Sequence, residues 1–456
     1  MPHFPQASRY APETTILELG DRFYDPVEAA DFPETILRFR NDRWATAVGL
    51  GAMSDTDWLK HFGRFQQLPG TLPQPLALRY HGHQFRHYNP DLGDGRGFLF
   101  AQLRDDRGRL LDLGTKGSGP TPWSRAGDGR LTLKGGVREI LATEMLEALG
   151  VETSKTFSLI ETGEALQRGD EPSPTRSAVL VRLSHGHIRI GSFQRHAYLR
   201  DNEALRTLTA YTLRHYYGEE ADDDAPARLL DNVVARTARL AAQYMAAGFV
   251  HGVLNSDNIN VTGESFDYGP WRFAPTWDPA MTAAYFDHQG LYAFGRQPEA
   301  IHWDVMQLAV SLRAIYNAEP LITILDSFGE RYQREIPVAI LWRLGVTPRD
   351  PTSDAALVQA IERGLRASKA PLDGFFFDAF GGVIPESYGA PFAEARAALA
   401  GYRPRKDRSH PFWQIAPCAM LIDEVEAIWS GIAQADDWSA LHAKVARIRE
   451  MGAALA

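Results

Sequence analysis

Cysteine is nearly absent from this chain of 456 residues, in which Cys418 is the only one. A single cysteine cannot form an intramolecular disulfide, and zinc or redox sites of the CxxC type are excluded as well. The chain also lacks any apolar run of the roughly 18 to 20 residues that a membrane helix requires. Its first residues do not resemble a secretory signal. We therefore expect a cytoplasmic protein that has no membrane partner.

An excess of positive charge is absent too. The chain has 48 Lys and Arg residues against 57 Asp and Glu residues, which gives a net charge of −9. Because nucleic-acid-binding proteins usually carry basic patches, this balance argues against nucleic acid as the main partner. The hydrophobic share of 44% is close to average globular usage, so we expect a folded protein of two or three packed units.

The apolar pattern changes along the chain from short strands to long helices. Beyond residue 201 the spacing predicts mostly helices, whereas the preceding part predicts strands around one amphipathic helix. We therefore expect an α+β fold with a β-rich N-terminal half and a mainly helical C-terminal half. The predicted strands are at 98–104, 110–116, 156–161 and 177–183, the first two forming a hairpin, and the predicted helix is at 137–149.

Two common nucleotide-binding motifs are missing, since no GxGxxG follows a strand and no segment has the Walker order GxxxxGK[ST]. The cluster LGDGRG nevertheless contains Gly93, Gly95 and Arg96. Glycines let backbone N–H groups approach phosphate oxygens, and an arginine adds a bidentate bond. A surface turn is the alternative interpretation of this cluster.

A lysine and a glutamate are spaced as in a kinase-like site. Lys116 ends the second strand of the predicted hairpin, and Glu139 lies on the helix that follows. In protein-kinase-like folds such a lysine contacts phosphates while the glutamate fixes its ammonium group. The alternative is a surface salt bridge, which contributes ~0 to 1 kcal/mol.

Three oxygen-bearing side chains occur in the polar segment HGVLNSDNINVTGESFDYGP, namely Asp257, Asn258 and Asp267. An Asn and an Asp, completed by ATP phosphates, are the usual ligands of magnesium in phosphoryl-transfer folds. Asp257 is then a candidate acceptor for the proton of an attacking hydroxyl. Asx-turns are the alternative role of these residues.

Histidines are concentrated in YHGHQFRHY and SHGHIR. Their i, i+2 spacing suits zinc if they lie on strands, but the lack of cysteine partners favours packing or hydrogen-bonding roles. Arg182 and Arg189 flank the second group. They either hold phosphates or are ordinary solvated charges, and spacing alone does not decide.

Together these motifs resemble the selenoprotein O (SelO) family of protein adenylyltransferases, which has a protein-kinase-like bilobal fold. The resemblance extends from about residue 76 to residue 270 and includes YHGHQF, NPDLGDGRG, LGTKGSGPTPWSRAGDGR, VREILATEMLEALG and VRLSHGHIRIGSF. It implies an N-terminal extension at 1–70 that packs on the lobes, a β-rich nucleotide-binding lobe at 71–200, and a helical lobe at 201–456 with a metal and catalytic loop at 251–270.

The resemblance also implies an activity, the transfer of AMP from ATP to Ser, Thr or Tyr hydroxyls of proteins with Mg²⁺ or Mn²⁺ as cofactor. Asp257 is the implied proton acceptor, and Glu139 is the implied anchor of Lys116. The implied metal ligands are Asn258 and Asp267. The implied ATP contacts are Gly93, Gly95, Arg96, Lys116, Asp128, Gly129, Arg182, Arg189 and Asp267.

Three alternatives remain open at this stage. A protein kinase is disfavoured because the chain has no HRD-x-x-x-x-N loop and DYGP stands in the place of DFG. A pseudokinase that binds nucleotide without transferring it retains the same polar residues. A metal-binding module would use the two histidine groups.

Overall fold

The computed structural model describes residues 6–169 and 171–456. Residues 1–5, which belong to the expected N-terminal extension, and Asp170 lie outside the described residues. The strands of the N-terminal lobe are β1 (Pro12–Glu13), β2 (Tyr24–Pro26), β3 (Ile36–Arg40), β4 (Leu76–Leu78), β5 (Gly82–Gln84), β6 (His87–Asn89), β7 (Leu99–Arg104), β8 (Leu110–Lys116), β9 (Leu131–Thr132), β10 (Lys155–Leu166) and β11 (Thr175–Ser184). Its helices are α1 (Asp42–Ala47), α2 (Asp55–Phe62) and α3 (Leu133–Ala148).

One antiparallel sheet forms the centre of this lobe. In the described part of the chain it has nine strands, in the order β2-β4-β7-β8-β11-β10-β3, with β1 paired to β7 and β9 paired to β11. A separate two-stranded ladder joins β5 to β6. The predicted hairpin and the two later predicted strands are confirmed. β10 is longer than expected, because it continues through a bulge beyond Glu161 to Leu166.

The central strands are buried on both faces, which explains why they are apolar almost throughout. Side chains alternate between the faces of a strand. On β11, Leu180 belongs to the core that contains α3, whereas Val179 and Val181 belong to the core that contains Trp58 and Phe62 of α2. The sheet thus lies between α3 on one side and α1 and α2 on the other.

The rest of the chain is mainly helical, and the expected α+β, protein-kinase-like bilobal fold is confirmed. Its longest helix, α6, packs against α7, α8 and α9 and supplies much of the core of this lobe. Among the described residues, no helix is long and apolar enough to span a membrane. The elements are α4 (Ile190–Tyr198), α5 (Asn202–Thr212), α6 (Ala225–Ala247), β12 (Phe249–Val250), β13 (Arg272–Phe273), α7 (Gln297–Leu312), α8 (Ala318–Asp326), α9 (Phe328–Arg343), α10 (Pro351–Ser368), α11 (Leu372–Asp378), α12 (Ala393–Leu399), α13 (Ile422–Ala435) and α14 (Ser439–Leu455).

Segments from the first 70 residues and from the last helices pack together in the N-terminal lobe. The first 70 residues contribute β1, β2 and β3 to its sheet. From the C-terminal end, α13 and α14 pack on α3, where Lys134 pairs with Glu426 at 2.7 Å and Arg449 pairs with Glu144 at 2.6 Å. The division of the chain at residues 70 and 200 stays a prediction.

Candidate active site

A cavity of about 630 Å³ opens where the sheet meets the loop between β12 and β13. Its walls come from the glycine cluster, the end of β8, residues 123–130 and the loop aspartates. All of the expected site residues line it except Glu139 and Asn258. Glu139 contacts the lining residue Lys116, and Asn258 follows the lining residue Asp257 in the sequence. The structure therefore brings residues that are up to 174 positions apart, from Gly93 to Asp267, into one place.

Lys116 lies between two carboxylates at the floor of this cavity. Its Nζ is 2.5 Å from Oε1 of Glu139 on α3 and 2.8 Å from Oδ1 of Asp267. Lys116 and Glu139 are 5% and 1% exposed, so this is a buried pair and not the surface salt bridge considered as the alternative. An ammonium group held in this way is fixed in position, which is what a phosphate contact requires.

Asp267 is ionised although it is largely enclosed. Burial alone would raise its pKa, but the charges of Lys116, Arg182 and Arg96 hold the pKa well below its usual range. The nearest arginine nitrogen, Nη1 of Arg182, is 3.5 Å from Oδ1. A carboxylate whose pKa is held low, at the wall of a cavity, is suited to binding a cation together with a polyphosphate.

Arg182 on β11 is oriented by a histidine from SHGHIR. Its Nε donates to Nε2 of His187 at 3.1 Å, and Nδ1 of the same ring is 3.3 Å from Oδ2 of Asp112. Burial lowers the pKa of His187, which keeps the ring neutral and able to accept from the arginine. His187 thus has the hydrogen-bonding role that the sequence left open, and it positions an arginine that lines the cavity.

Arg189 is held from several directions just before α4. Its Nη2 is 3.1 Å from Oδ1 of Asp94, and its Nη1 donates to the backbone oxygen of Asp257 at 3.2 Å. The guanidinium also lies over the rings of Tyr80 and Phe266, 4.2 and 5.0 Å from their centroids. Sequence patterns did not identify Asp94 as its partner, because a side chain within a turn has no periodic signal.

Asp257 lies in a short 3-10 turn and is 8% exposed. Burial raises its pKa to about 6, against the lowering effect of Arg189. Among the described residues, its Oδ1 has no hydrogen-bond partner. A buried carboxylate with an unsatisfied oxygen at a cavity wall is able to accept a proton. The adjacent Asn258 donates its side-chain amide to the backbone oxygen of Val253 at 3.0 Å, which orients the side chain.

The glycine cluster is packed against a second loop. A Cβ at Gly93 would lie 2.4 Å from Cγ of Trp123, and one at Gly95 would lie 2.8 Å from the backbone oxygen of Trp123. The backbone oxygen of Arg96 accepts from the amide of Gly117 at 2.6 Å, which ties the cluster to the end of β8. Close backbone packing therefore requires these glycines, and the cluster is part of the cavity wall.

Asp128 and Gly129 form the opposite rim. Oδ2 of Asp128 is 2.8 Å from Nη1 of Arg168, and the backbone amide of Arg130 donates to Oδ1 at 2.9 Å. Gly129 has a φ of 69°, a left-handed conformation that favours glycine. Arg168 also lines the cavity but was not predicted, because it belongs to the polar segment between β10 and β11.

Two histidines of YHGHQFRHY make hydrogen bonds to neighbouring side chains. Nδ1 of His81 is 2.7 Å from the hydroxyl of Tyr88, and Nδ1 of His83 is 2.7 Å from Nε2 of Gln194. Across residues 6–169 and 171–456, no group of three or more His, Cys, Asp or Glu side chains is arranged to hold a metal ion.

The fold and this site define a protein-kinase-like protein. A strand lysine is paired with a helix glutamate, and an aspartate from a loop of the helical lobe completes the cluster. Two solved Toxoplasma gondii chains, ROP2 with its protein-kinase fold and a rhoptry antigen kinase domain, match with a TM-score of 0.28 each at 14% and 10% identity. They cover 59% and 64% of this chain and 79% and 83% of their own chains.

Sequence comparison identifies the family. The family model described as protein adenylyltransferase SelO matches residues 7–381. Proteins named protein nucleotidyltransferase YdiU from Synechococcus elongatus and Gloeobacter violaceus are 43% and 44% identical, each over 96% of this chain and 95% of its own length. A Synechocystis relative of the same name is 50% identical over 74% of this chain and 71% of its own. The chain belongs to the SelO family and is a nucleotidyltransferase.

Proposed function

We propose that the chain transfers AMP from ATP to Ser, Thr or Tyr hydroxyls of other proteins and releases pyrophosphate. The observation that carries this proposal is the buried cluster of Lys116, Glu139 and Asp267 beside a cavity of about 630 Å³. The cavity is large enough for a nucleotide. Seven Arg and Lys residues and four Asp residues line it, so it favours a polyanion.

The residues of the loop fit a divalent cation. Asn258 and Asp267 offer hard oxygen donors, and the ionised state of Asp267 supports this role. Two protein ligands leave the remaining positions to phosphate oxygens and water, which is the usual arrangement for Mg²⁺ with a nucleotide. When bound, Mg²⁺ or Mn²⁺ would supply charge neutralisation at the phosphates.

In the proposed reaction the acceptor oxygen forms a bond to the α-phosphorus of ATP. The bond from that phosphorus to the oxygen bridging to the β-phosphorus breaks, and the electron pair leaves with pyrophosphate. Asp257 accepts the hydroxyl proton. Lys116, Arg182 and Arg189 compensate the charge that develops on the phosphates.

The position of the label in ATP tests the proposal. Purified protein is incubated with a protein extract and either α-labelled or γ-labelled ATP. We expect label in protein from the α position alone, and we expect Asp257→Asn to abolish it. Transfer from the γ position alone would establish a protein kinase instead. Binding of ATP without any transfer would favour the pseudokinase alternative.

A further inference from the structure

A second cavity, of about 210 Å³, lies between the N-terminal lobe and α6. It shares no lining residue with the cavity of about 630 Å³, which we call the nucleotide cavity after the ligand proposed for it. The walls of the second cavity include the turn between β7 and β8, residues 150–153 after α3, and the first residue of β10. His185, which follows β11, and one side of α6 also line this cavity. Four cationic side chains from three of these elements line it, and we call it the arginine cavity: Arg107, Arg109, Lys155 and Arg236.

The cations of the arginine cavity act on the same neighbour. His185 lines the cavity, and its pKa is lowered to about 3. Burial is the main cause, and the charges of Arg109, Arg236 and Arg107 contribute to the same lowering. Arg107 in turn has a lowered pKa, first through burial and then through the charge of Arg109. The positive charges therefore converge on one volume, in which they repel one another.

Two of these guanidinium groups have only distant ionic partners among the described residues. Nε of Arg107 is 3.8 Å from Oδ2 of Asp105, and Nη1 of Arg236 is 3.7 Å from Oε2 of Glu152. Both distances exceed that of a hydrogen bond. Each side chain is 42% exposed, so solvent and small ions reach both of them.

Three carboxylates line the arginine cavity. Glu152 is 3.7 Å from Nη1 of Arg236 and 3.8 Å from Nη1 of Arg239, whereas the other two have closer partners outside the four cations. Glu147 binds Arg43 and accepts from Nε1 of Trp44 at 3.0 Å. Glu264 accepts from the backbone amide of His185 at 2.5 Å, and burial raises its pKa. These contacts reduce the ability of Glu147 and Glu264 to neutralise the arginines that face the cavity.

We propose that the arginine cavity binds a small phosphate anion, with Arg107 and Arg236 as its main ligands. Guanidinium groups bind phosphate oxygens through paired, charge-assisted hydrogen bonds. The volume is below the range of about 300 to 1,000 Å³ that is typical of drug-sized ligands, so it suits inorganic phosphate or pyrophosphate better than a nucleotide. An anion there would contact residues that follow α3 and the segment that leads to Asp267.

Calorimetric titration of the full chain with inorganic phosphate tests this assignment, and a parallel titration with pyrophosphate separates the two anions. We expect Arg107→Ala/Arg236→Ala to weaken phosphate binding by about tenfold or more. The matched control is Arg334→Ala/Arg363→Ala, which removes two arginines that are 64% and 56% exposed elsewhere and should bind as the unmodified chain does.

Unchanged phosphate affinity in Arg107→Ala/Arg236→Ala would overturn the proposal. So would loss of binding in Arg182→Ala alone, because that result would place the anion in the nucleotide cavity. Crystals grown with tungstate give a test that needs no variant, since an anomalous peak between Arg107 and Arg236 is expected and its absence would contradict the site. None of these outcomes depends on whether the chain transfers AMP.

Discussion

Lys116 is shared by two carboxylates, and this sharing has a consequence for catalysis. Glu139 belongs to α3 and Asp267 to the loop between β12 and β13, so the two carboxylates attract the ammonium group of Lys116 in different directions. If Glu139 lost its charge, Asp267 would be the remaining ionic partner. We expect Lys116 to move towards Asp267 and away from the position proposed for the phosphates of ATP.

Glu139→Gln tests this view because it keeps the shape of the side chain and removes its charge. We expect the initial rate of α-label transfer to fall by roughly 10- to 100-fold. The melting temperature should fall as well, since a buried pair would lose one partner. Glu330→Gln, which alters a side chain that is 76% exposed on α9, is the matched control. Unaltered transfer by Glu139→Gln would contradict the anchoring role.

Asp267→Asn tests the proposed metal ligand. We expect transfer to fall by about 100-fold, because an uncharged amide binds Mg²⁺ or Mn²⁺ weakly. The Mn²⁺ concentration that gives half of the maximal rate should rise, and chelator should abolish transfer by the unmodified chain. Asp326→Asn alters an exposed aspartate of α8 and should leave the metal requirement unchanged. The same metal dependence in Asp267→Asn would remove Asp267 from the ligand set.

Local patterns predicted some of these residues and missed others for physical reasons. Lys116 and Glu139 were predictable because each lies on a regular element with a strong apolar pattern. The pairing of Asp128 with Arg168 was not, since it joins two irregular loops through a long-range contact. The same holds for His187, whose role depends on Asp112 of the neighbouring strand.

At the scale of elements, α3 connects the candidate active site to the C-terminal helices, because it carries Glu139 and packs against α13 and α14. Arg449 of α14 makes two hydrogen bonds, at 2.8 and 2.6 Å, to Glu144, which lies five residues after Glu139 on α3. Glu144 is only 3% exposed, so its charge needs a close cation. The position of Glu139 therefore depends on a segment that is more than 300 residues away in sequence.

Arg449→Ala should lower the free energy of unfolding by about 2 to 3 kcal/mol. It leaves the buried carboxylate of Glu144 with a hydrogen bond from Asn41 at 3.4 Å and with Arg43, 3.8 Å away, as its nearest cation. Urea unfolding followed by circular dichroism measures this change. Arg334→Ala removes a largely exposed arginine and should change the free energy by less than about 0.5 kcal/mol. A similarly small effect in Arg449→Ala would show that apolar packing alone holds α14 on α3.

The strands and helices with clear periodicity were predicted, whereas their arrangement was not. β7, β8, β10 and β11 follow from local apolar runs. The places of β2 and β3 at the two ends of the sheet path depend on pairing with distant strands. The contact of α13 and α14 with α3 has no local sequence signal either, because an apolar helix face does not specify which other helix it packs against.

Across the whole molecule, charge is distributed unevenly. The chain carries a net charge of −9, yet the nucleotide cavity is lined by more cations than anions. Cations concentrated in a concave site raise the local concentration of a polyanion and strengthen its binding. When the cavity holds no anion, the arginines repel one another, and this repulsion destabilises the folded chain. A bound nucleotide would reduce the repulsion.

This reasoning predicts that ATP with Mg²⁺ stabilises the whole chain. A ligand that binds only the folded state at 100 times its Kd adds about 2.7 kcal/mol. With the usual entropy of unfolding per residue, that corresponds to a rise in melting temperature of about 3 °C for a chain of this length. Lys116→Ala should lose most of the rise, whereas Arg334→Ala should retain it. An equal rise in Lys116→Ala would mean that the nucleotide binds without the ammonium, and Lys116 would then have to act on the reaction alone.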